Sequence, residues 1–337
     1  MLVIAAMLAA SVLPARAEDY YKGKTITIIN STGAGDSYGL IARAVARAMP
    51  KYLPGSPTMV VQDMPGGGNL VATNHLYNVA AKDGTVIGTI NNAMPLFQIL
   101  DGRGVRFDAR KFSWLGSTGY YNSVAMIWST AGIRTVQDLY TKEVVLGGTG
   151  PGSSIVIFPT VMNNVLGTKF KIVNGYSSAA DVSLAMERGE VQSRTGSYMD
   201  LLSQRPQWMS EKKVNIVVQI GPKPDKALPD VPMLTDLAKN DEQRAILKLI
   251  GSPIALGRPY LTPPGVPPEI VAILREGFAA SMKDPGFLAD MEKMHIPVDP
   301  ISGEDVAASV NEALSAPPAV IEKARAAMEA PGEPAKK

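Results

Sequence analysis

Two stretches rich in glycine and hydroxyl side chains are the parts of this sequence best suited to chemistry. Ser31-Thr32-Gly33-Ala34-Gly35-Asp36-Ser37-Tyr38-Gly39 follows a β-branched run and opens an apolar stripe at helical spacing. Thr149-Gly150-Pro151-Gly152-Ser153-Ser154 has the same setting further on, between Val144–Leu146 and Ile155–Val165. A helix start carries unpaired backbone N–H groups and the positive end of the helix dipole. Glycine lets such a backbone approach a ligand closely, and hydroxyls add donors. Each turn therefore suits an anion, a carboxylate as well as a phosphate. Glycine at a strand-to-helix turn also serves simply to bend the chain, and for one loop alone that reading is the better one. Two matched loops, in a chain poor in catalytic groups, favour a ligand held between them.

The first loop also admits a rival. Gly33-x-Gly35-x-x-x-Gly39 after a strand has the look of a dinucleotide turn, with Asp63 where a ribose-binding acid would sit. That reading makes the chain an exported dinucleotide-binding oxidoreductase. It requires cofactor loading before export, and the twin-arginine signal of that route is missing, as is any Gly-x-x-x-x-Gly-Lys-Ser/Thr phosphate loop. Other constellations are poor. Cysteine is absent, which excludes disulfides and thiol chemistry, and the two histidines, His75 and His295, do not form a metal-ligand pair. No Gly-x-Ser-x-Gly elbow occurs. The expectation is no catalysis, no metal and no cofactor. The tryptophans and methionines read as core, while Tyr120, Tyr121 and Tyr198 either join the core or roof a cleft.

The elements that position these loops alternate between strand and helix. Thr25–Ile29 is a β-branched strand, and Leu40, Ile41, Ala44, Val45, Ala48 and Met49 mark one face of a helix. Thr58–Val61 is a second strand, Gly66-Gly67-Gly68 a second glycine turn, and Leu70–Val79 a second helix. Asp83-Gly84 turns into strand Val86–Ile90. This β-α-β-α-β order predicts a parallel sheet with helices on both faces. The pattern restarts with strands Val124–Trp128, Val144–Leu146, Phe170–Val173 and Asn215–Gln219, with helices over Ile155–Val165 and Ala179–Arg188. The last third reads as helices over Pro268–Met282, Phe287–Met294 and from Gly303 to about Ala330. Thr262-Pro263-Pro264-Gly265-Val266-Pro267-Pro268 is the sharpest loop signal.

The 337 residues exceed what one core usually serves, so two α/β domains are expected. With 33 basic residues against 31 acidic ones, the formal charge of +2 gives no reason to expect nucleic acid or an anionic membrane as partner. Leu2–Leu13 is an uninterrupted apolar run followed by Pro14-Ala15-Arg16-Ala17, after which the chain turns polar at Glu18-Asp19. An apolar core ending in a small-x-small site is the pattern of a secretory signal cleaved after about Ala17, too short to span a bilayer. No later stretch approaches ~18 apolar residues, so the mature protein is expected to be free and soluble, and periplasmic in a Gram-negative cell.

The motifs together resemble the substrate-binding proteins of tripartite tricarboxylate transporters, the Bug family, over essentially the whole mature chain. The resemblance rests on Thr25–Asn30 with its glycine loop and Ala42-Arg43, on Val60-Val61-Gln62-Asp63-Met64-Pro65-Gly66-Gly67-Gly68-Asn69, and on Lys82-Asp83-Gly84-Thr85. It continues through the Gly148–Ser154 loop, Gly189-Glu190-Val191, Leu228-Pro229-Asp230-Val231-Pro232 and Pro263–Ile270. It implies an α/β, two-domain periplasmic-binding-protein fold of type II-like kind, with a ligand cleft between the lobes. The chain would cross twice, near Asn122 and Ser252. That gives a signal over 1–17, domain 1 from 18–122 plus 253–330 with the C-terminal helices, domain 2 from 123–252, and a tail over 331–337. The implied protein is a monomeric receptor that captures a small carboxylate (a di- or tricarboxylate or an aromatic acid) and delivers it to integral membrane transporter subunits.

The resemblance further implies that Ser31–Gly39 and Thr149–Ser154 pinch the carboxylate through backbone N–H groups, hydroxyls and waters. Asn91 and Asn92, Tyr176, and Thr195, Gly196 and Ser197 would line the cleft. One departure is visible. The family's first loop usually carries an aspartate four residues before the Ala-Arg arginine, and here that position is Gly39, with Asp36 three places earlier. Arg194 stands where many members have an apolar residue; it either pairs with a second carboxylate in the cleft or points to solvent.

Overall fold

The computed structural model describes residues 19–149, 153–176 and 178–329. The expected leader, the 331–337 tail, and Gly150, Pro151 and Gly152 of the second loop lie outside the described residues. The chain builds a mixed α/β structure around two sheets.

The first sheet starts with β1 (Thr25–Asn30), α1 (Ser37–Ala48), β2 (Thr58–Asp63), α2 (Leu70–Asn78), β3 (Val86–Thr89) and α3 (Met94–Leu100). β1 pairs in parallel with both β2 and β3, as the alternation of strand and helix predicts. The glycine run between β2 and α2 has left-handed backbone at Gly66, Gly67 and Gly68, which explains three glycines in a row. The rest of the sheet is antiparallel, which periodicity did not reveal. β4 (Ser113–Ser117) pairs with the much later β10 (Pro259–Thr262), and β10 lies beside β3. The short β11 (Ile301–Ser302) closes the edge.

Helices cover both faces of this sheet. On one side Ile26 and Ile28 pack with Ile41 and Val45 of α1 and with Leu274, Phe278, Phe287 and Met291, which lie on α10 (Pro268–Ser281) and α11 (Pro285–Lys293). On the other, Ile29, Trp114 and Leu261 meet Leu76 of α2 and Val306 and Val310 of α12 (Gly303–Leu314). Leu40, expected on the buried stripe of α1, is exposed; Ala42 takes the inner position.

The second sheet contains β5 (Ser123–Trp128), α4 (Asp138–Thr141), β6 (Val144–Gly148), α5 (Ser154–Val161), β7 (Phe170–Asn174), α6 (Ala179–Glu187) and β8 (Ser193–Ser197). It ends with α7 (Tyr198–Gln204), α8 (Pro206–Ser210), β9 (Val214–Ile220) and the outer helix α9 (Asp241–Gly251). β6 runs parallel to β7 and β8, whereas β5 is antiparallel to β8 and β9. Along β5 the two-residue period is clean: Ala125 and Ile127 face α5 and α9, and Val124 and Met126 face α6 and Trp208 of α8. α5 carries Pro159, and instead of continuing to Val165 as an α-helix it widens into a π-turn over Met162–Leu166.

The last expected helix is two helices. Pro317 and Pro318 stop α12 and start α13 (Pro318–Met328), because proline cannot continue the hydrogen-bond ladder of a preceding helix. α13 lies where the two sheets meet: it packs on α3 of the first, and Arg325 donates to the Ile99 carbonyl there. Its small Ala324 and Ala327 sit in the core of the second sheet, and α13 packs on α9 and α5. No helix among the described residues is long and apolar enough to cross a membrane.

Candidate functional site

The first glycine loop turns β1 into α1, and its shape is set by one carboxylate. Asp36 is the N-cap of α1 and accepts from the backbone N–H of Gly39 at 3.0 Å. It also accepts from Gly33 N–H at 3.1 Å and from the Thr32 hydroxyl at 2.8 Å. The anion position at this helix end is therefore filled by the chain's own side chain. Gly39 is required for a steric reason: a Cβ there would lie 2.6 Å from the Gly33 carbonyl oxygen and 2.7 Å from that of Ala34. Asp36 does for the helix end what a cap must do, from a position that leaves Gly39 free for close approach.

The second loop differs. Ser153 stands at the N-cap of α5, but its hydroxyl accepts from Thr149 Oγ1 at 2.8 Å rather than closing the cap. Gly148, the last residue of β6, allows α5 to lie close: a Cβ there would meet Asn174 Oδ1 and Val156 Cγ2 at 2.6 Å. The start of α5 is thus pressed against the sheet, with no carboxylate capping it among the described residues.

Between these loops lies a cavity of about 520 Å³ walled by both sheets. Of the residues the sequence singles out, Thr32, Asp36, Ser37 and Tyr38 line it from the first loop, and Asn91 and Asn92 from the end of β3. Thr149, Ser153 and Ser154 line it from the second loop, with Arg194, Gly196 and Ser197 from β8. Others lie elsewhere. Ser31 is buried, accepting from Asn91 N–H at 2.9 Å and donating to Asn69 Oδ1. Gly33, Ala34 and Gly35 are exposed, and Gly39 is packed under the loop. Tyr176 lies against the core that α6 forms with β5 and α7. Thr195 turns its hydroxyl into α5, donating to the carbonyls of Ser154 and Ile155.

Three further residues shape the cavity and escape sequence reasoning. Arg258, just before β10, is 7% exposed and lies over the rings of Tyr38 and Tyr121 at 4.5 and 5.4 Å. Its Nε and Nη2 donate to Ser37 Oγ at 3.3 and 3.2 Å. The stacking and the hydroxyl hold the guanidinium in place while leaving it without a carboxylate partner within ion-pair distance among the described residues. Asp200, in the first turn of α7, joins Asp36, Arg194 and Arg258 as the fourth charged side chain among the described lining residues. Tyr121, left open between core and cleft, does both: its ring faces the cavity and its hydroxyl donates to Pro297 O at 2.7 Å. The only forward signal for Arg258 is a charged residue between Gly257 and Pro259. Gly257 has a left-handed φ of 61° and a Cβ there would fall 2.0 Å from the Gly119 carbonyl oxygen.

Burial sets the electrostatics. Arg194 is 5% exposed, and burial pulls its guanidinium down to about 10, which leaves it charged at neutral pH. Burial also pushes the Tyr38 phenol up, so it stays a neutral donor; it hydrogen-bonds Gly257 O and accepts from Asn92 N–H at 3.0 Å. The rival dinucleotide reading fails on Asp63. Burial pushes that carboxyl up, but hydrogen bonds from Arg43 and Asn30 outweigh it and hold it below the usual carboxylate range. With Arg43 Nη2 at 2.6 Å and Asn30 Nδ2 at 2.8 Å, it is already engaged and lies outside the cavity wall.

The model of the tripartite tricarboxylate transporter family receptor, TctC, matches residues 41–325. No curated protein matches the chain in sequence. Among solved structures, a TctC solute-binding protein from Polaromonas without ligand is 19% identical, with a TM-score of 0.68 over 89% of this chain and 98% of that one. MatC from Rhodopseudomonas palustris with bound malate is 15% identical, with a TM-score of 0.63 over 90% and 99% of the two chains. Another R. palustris protein, with adipate, is 15% identical, with a TM-score of 0.65 over 90% and 97%. These likenesses show a two-lobed binding-protein fold. The family match takes in most of both sheets and the arginine-bearing walls of the cavity, and the chain belongs to the tripartite tricarboxylate transporter family of receptors.

Proposed function

We propose that this receptor holds a small carboxylate in the cavity between its sheets and presents it, unchanged, to the integral membrane subunits of a transporter. The observation that carries the reading is the cavity itself: it is walled by both sheets and lined by cationic and hydroxyl donors, with no nucleophile–base pair among its described lining residues. The α5 start, which no carboxylate caps among the described residues, and the Arg258 guanidinium are the groups placed to meet an anion. Binding of malate and of adipate by two structural neighbours supports a carboxylate as the ligand class. In this reading residues 1–17 direct export to the periplasm. The lobes, residues 18–122 with 253–330 and residues 123–252, are joined near Asn122 and Ser252, and α13 spans the seam between α3 and α5. Closure of the lobes over the ligand is the signal the membrane subunits read, one chain acting per ligand. A thermal-shift screen of small carboxylic acids tests it: a raised melting temperature with the acid recovered intact is expected. Conversion of the acid, or stabilisation by a dinucleotide and by no acid, would overturn it.

A further inference from the structure

One short stretch of chain, from the end of β8 into α7, carries an unusual set of unpaired groups. Arg194, Ser197 and Asp200 all line the cavity. Each has a buried polar atom with no hydrogen-bond partner among the described residues: Arg194 Nε, Ser197 Oγ and Asp200 Oδ1. Arg194 makes one hydrogen bond from Nη1, to the Ala179 carbonyl at 3.1 Å, and has no carboxylate within ion-pair distance among the described residues. A buried charge without a counter-charge is strongly unfavourable, and orphaned polar atoms lose their hydration without return. Three such losses in one wall indicate that a ligand supplies the missing partners.

The opposite wall carries the second cation. Arg258 comes from the segment leading into the first sheet, Arg194 from the second, so each side of the cavity presents one guanidinium. Asp200 feels both of them electrostatically, yet pairs with neither. Asp36, the other carboxylate on the wall, is occupied as the α1 cap. The charged groups left among the described residues to meet a ligand are therefore two guanidiniums and one carboxylate, a net charge of +1. A ligand with two carboxylates and one ammonium has a net charge of −1 and offers a partner to each.

Resting on the carboxylate-receptor reading above, we infer that the ligand is an amino dicarboxylate. One carboxylate is held by Arg258 and the α5 start, the other by Arg194, and the ammonium by Asp200 with Ser197. Arg194 and Asp200 are then specificity-determining residues. The guanidinium forks a carboxylate with two parallel donors, and Asp200 accepts what a hydroxyl or ammonium donates.

Calorimetric titration of the intact mature protein with L-glutamate and L-aspartate, set against their singly altered relatives, tests this. Glutarate and succinate lack the ammonium; glutamine and asparagine lack the second carboxylate. At least one amino dicarboxylate is expected to bind at least 10-fold more tightly than both of its altered relatives. Asp200→Asn, isosteric and partly exposed, should abolish the preference over the plain dicarboxylate. Arg194→Met should abolish the preference over the amide. The ligand comparison needs no variant, so it decides the matter even where Arg194→Met fails to fold. Equal or tighter binding of the plain dicarboxylates, or discrimination unchanged in folded Asp200→Asn, overturns this inference alone. Absence of binding by any acid overturns the carboxylate-receptor reading with it.

Discussion

Replacing Asp36 separates the two roles a carboxylate in the first loop can have, capping the helix or touching the ligand. Its oxygens accept from Gly39 N–H, Gly33 N–H and the Thr32 hydroxyl at 3.0, 3.1 and 2.8 Å. Asp36→Ala removes the cap, which costs about 1 kcal/mol. It also removes a negative charge from the positive end of α1, worth about 0.3–1 kcal/mol. Gly33 is exposed and Thr32 half-buried, so water refills their sites at little cost. The sum is about 1.3–2 kcal/mol for alanine. Asparagine keeps an acceptor for Gly39 N–H and loses the charge alone, so Asp36→Asn should cost about 0.3–1 kcal/mol. Urea unfolding, with slopes matched between variants, measures both differences. Because Asp36 adds a like charge to the cavity wall, Asp36→Asn should also bind a carboxylate at least as tightly as the parent protein. Equal destabilisation by alanine and asparagine would refute the capping argument. A large affinity loss in Asp36→Asn would show that this carboxylate holds the ligand.

The remaining predictions concern the second loop and the acid limb of stability. Gly148→Val puts new carbons within 2.6 Å of Asn174 Oδ1 and Val156 Cγ2, so it should cost about 1–3 kcal/mol and weaken ligand binding by lifting the start of α5. Gly35→Ala, with nothing near its Cβ, should leave urea midpoint and affinity unchanged. Asp284 caps α11, accepting from Phe287 N–H and Lys51 Nζ at 2.9 Å and from the Tyr52 hydroxyl at 3.0 Å. The Lys51 hydrogen bond, with the others, holds its carboxyl down to about 2, against an ordinary 3.8. A carboxylate whose folded value is depressed stabilises above its unfolded value and loses that stabilisation as pH falls through the folded one. Asp284→Asn should therefore cost about 1–2 kcal/mol at pH 7, with the gap to the parent closing between about pH 4 and pH 2. A gap independent of pH would assign the cost to packing.

The local pattern carried the strand and helix order well, because β-branched runs and apolar stripes express burial directly. Thr25–Ile29, Val124–Trp128 and Pro268–Met282 match observed elements within one or two residues. The antiparallel insertion of β10 between β3 and β4 was not legible, since it joins segments distant in sequence and its residues, Pro259–Thr262, show no alternation. The break before α13 is legible in Pro317-Pro318, where the apolar pattern alone predicts one continuous helix. The docking of α13 against α3, α5 and α9 depends on Ala324 and Ala327, whose small side chains give no directional signal. The two glycine loops were recognisable as turns at helix starts, but not as unlike in chemistry. That difference rests on Asp36 folding back on its own loop and on Ser153 bonding to Thr149 instead. Arg258 was invisible because its partner Ser37 is 221 residues away, and only the closed fold brings them together.

The most direct test of the central claim is calorimetric titration of the purified mature protein with the acid that gives the largest thermal shift. The account predicts one site per chain, the acid recovered unchanged, and a stabilisation that follows RT ln(1 + [L]/Kd), about 2.7 kcal/mol at 100 times Kd. It also predicts that the titration is lost when the cavity wall is filled by Gly196→Trp, which places a large ring beside the Arg194 guanidinium. Undiminished binding in a folded Gly196→Trp protein, or a bound acid that leaves as a different compound, would contradict it.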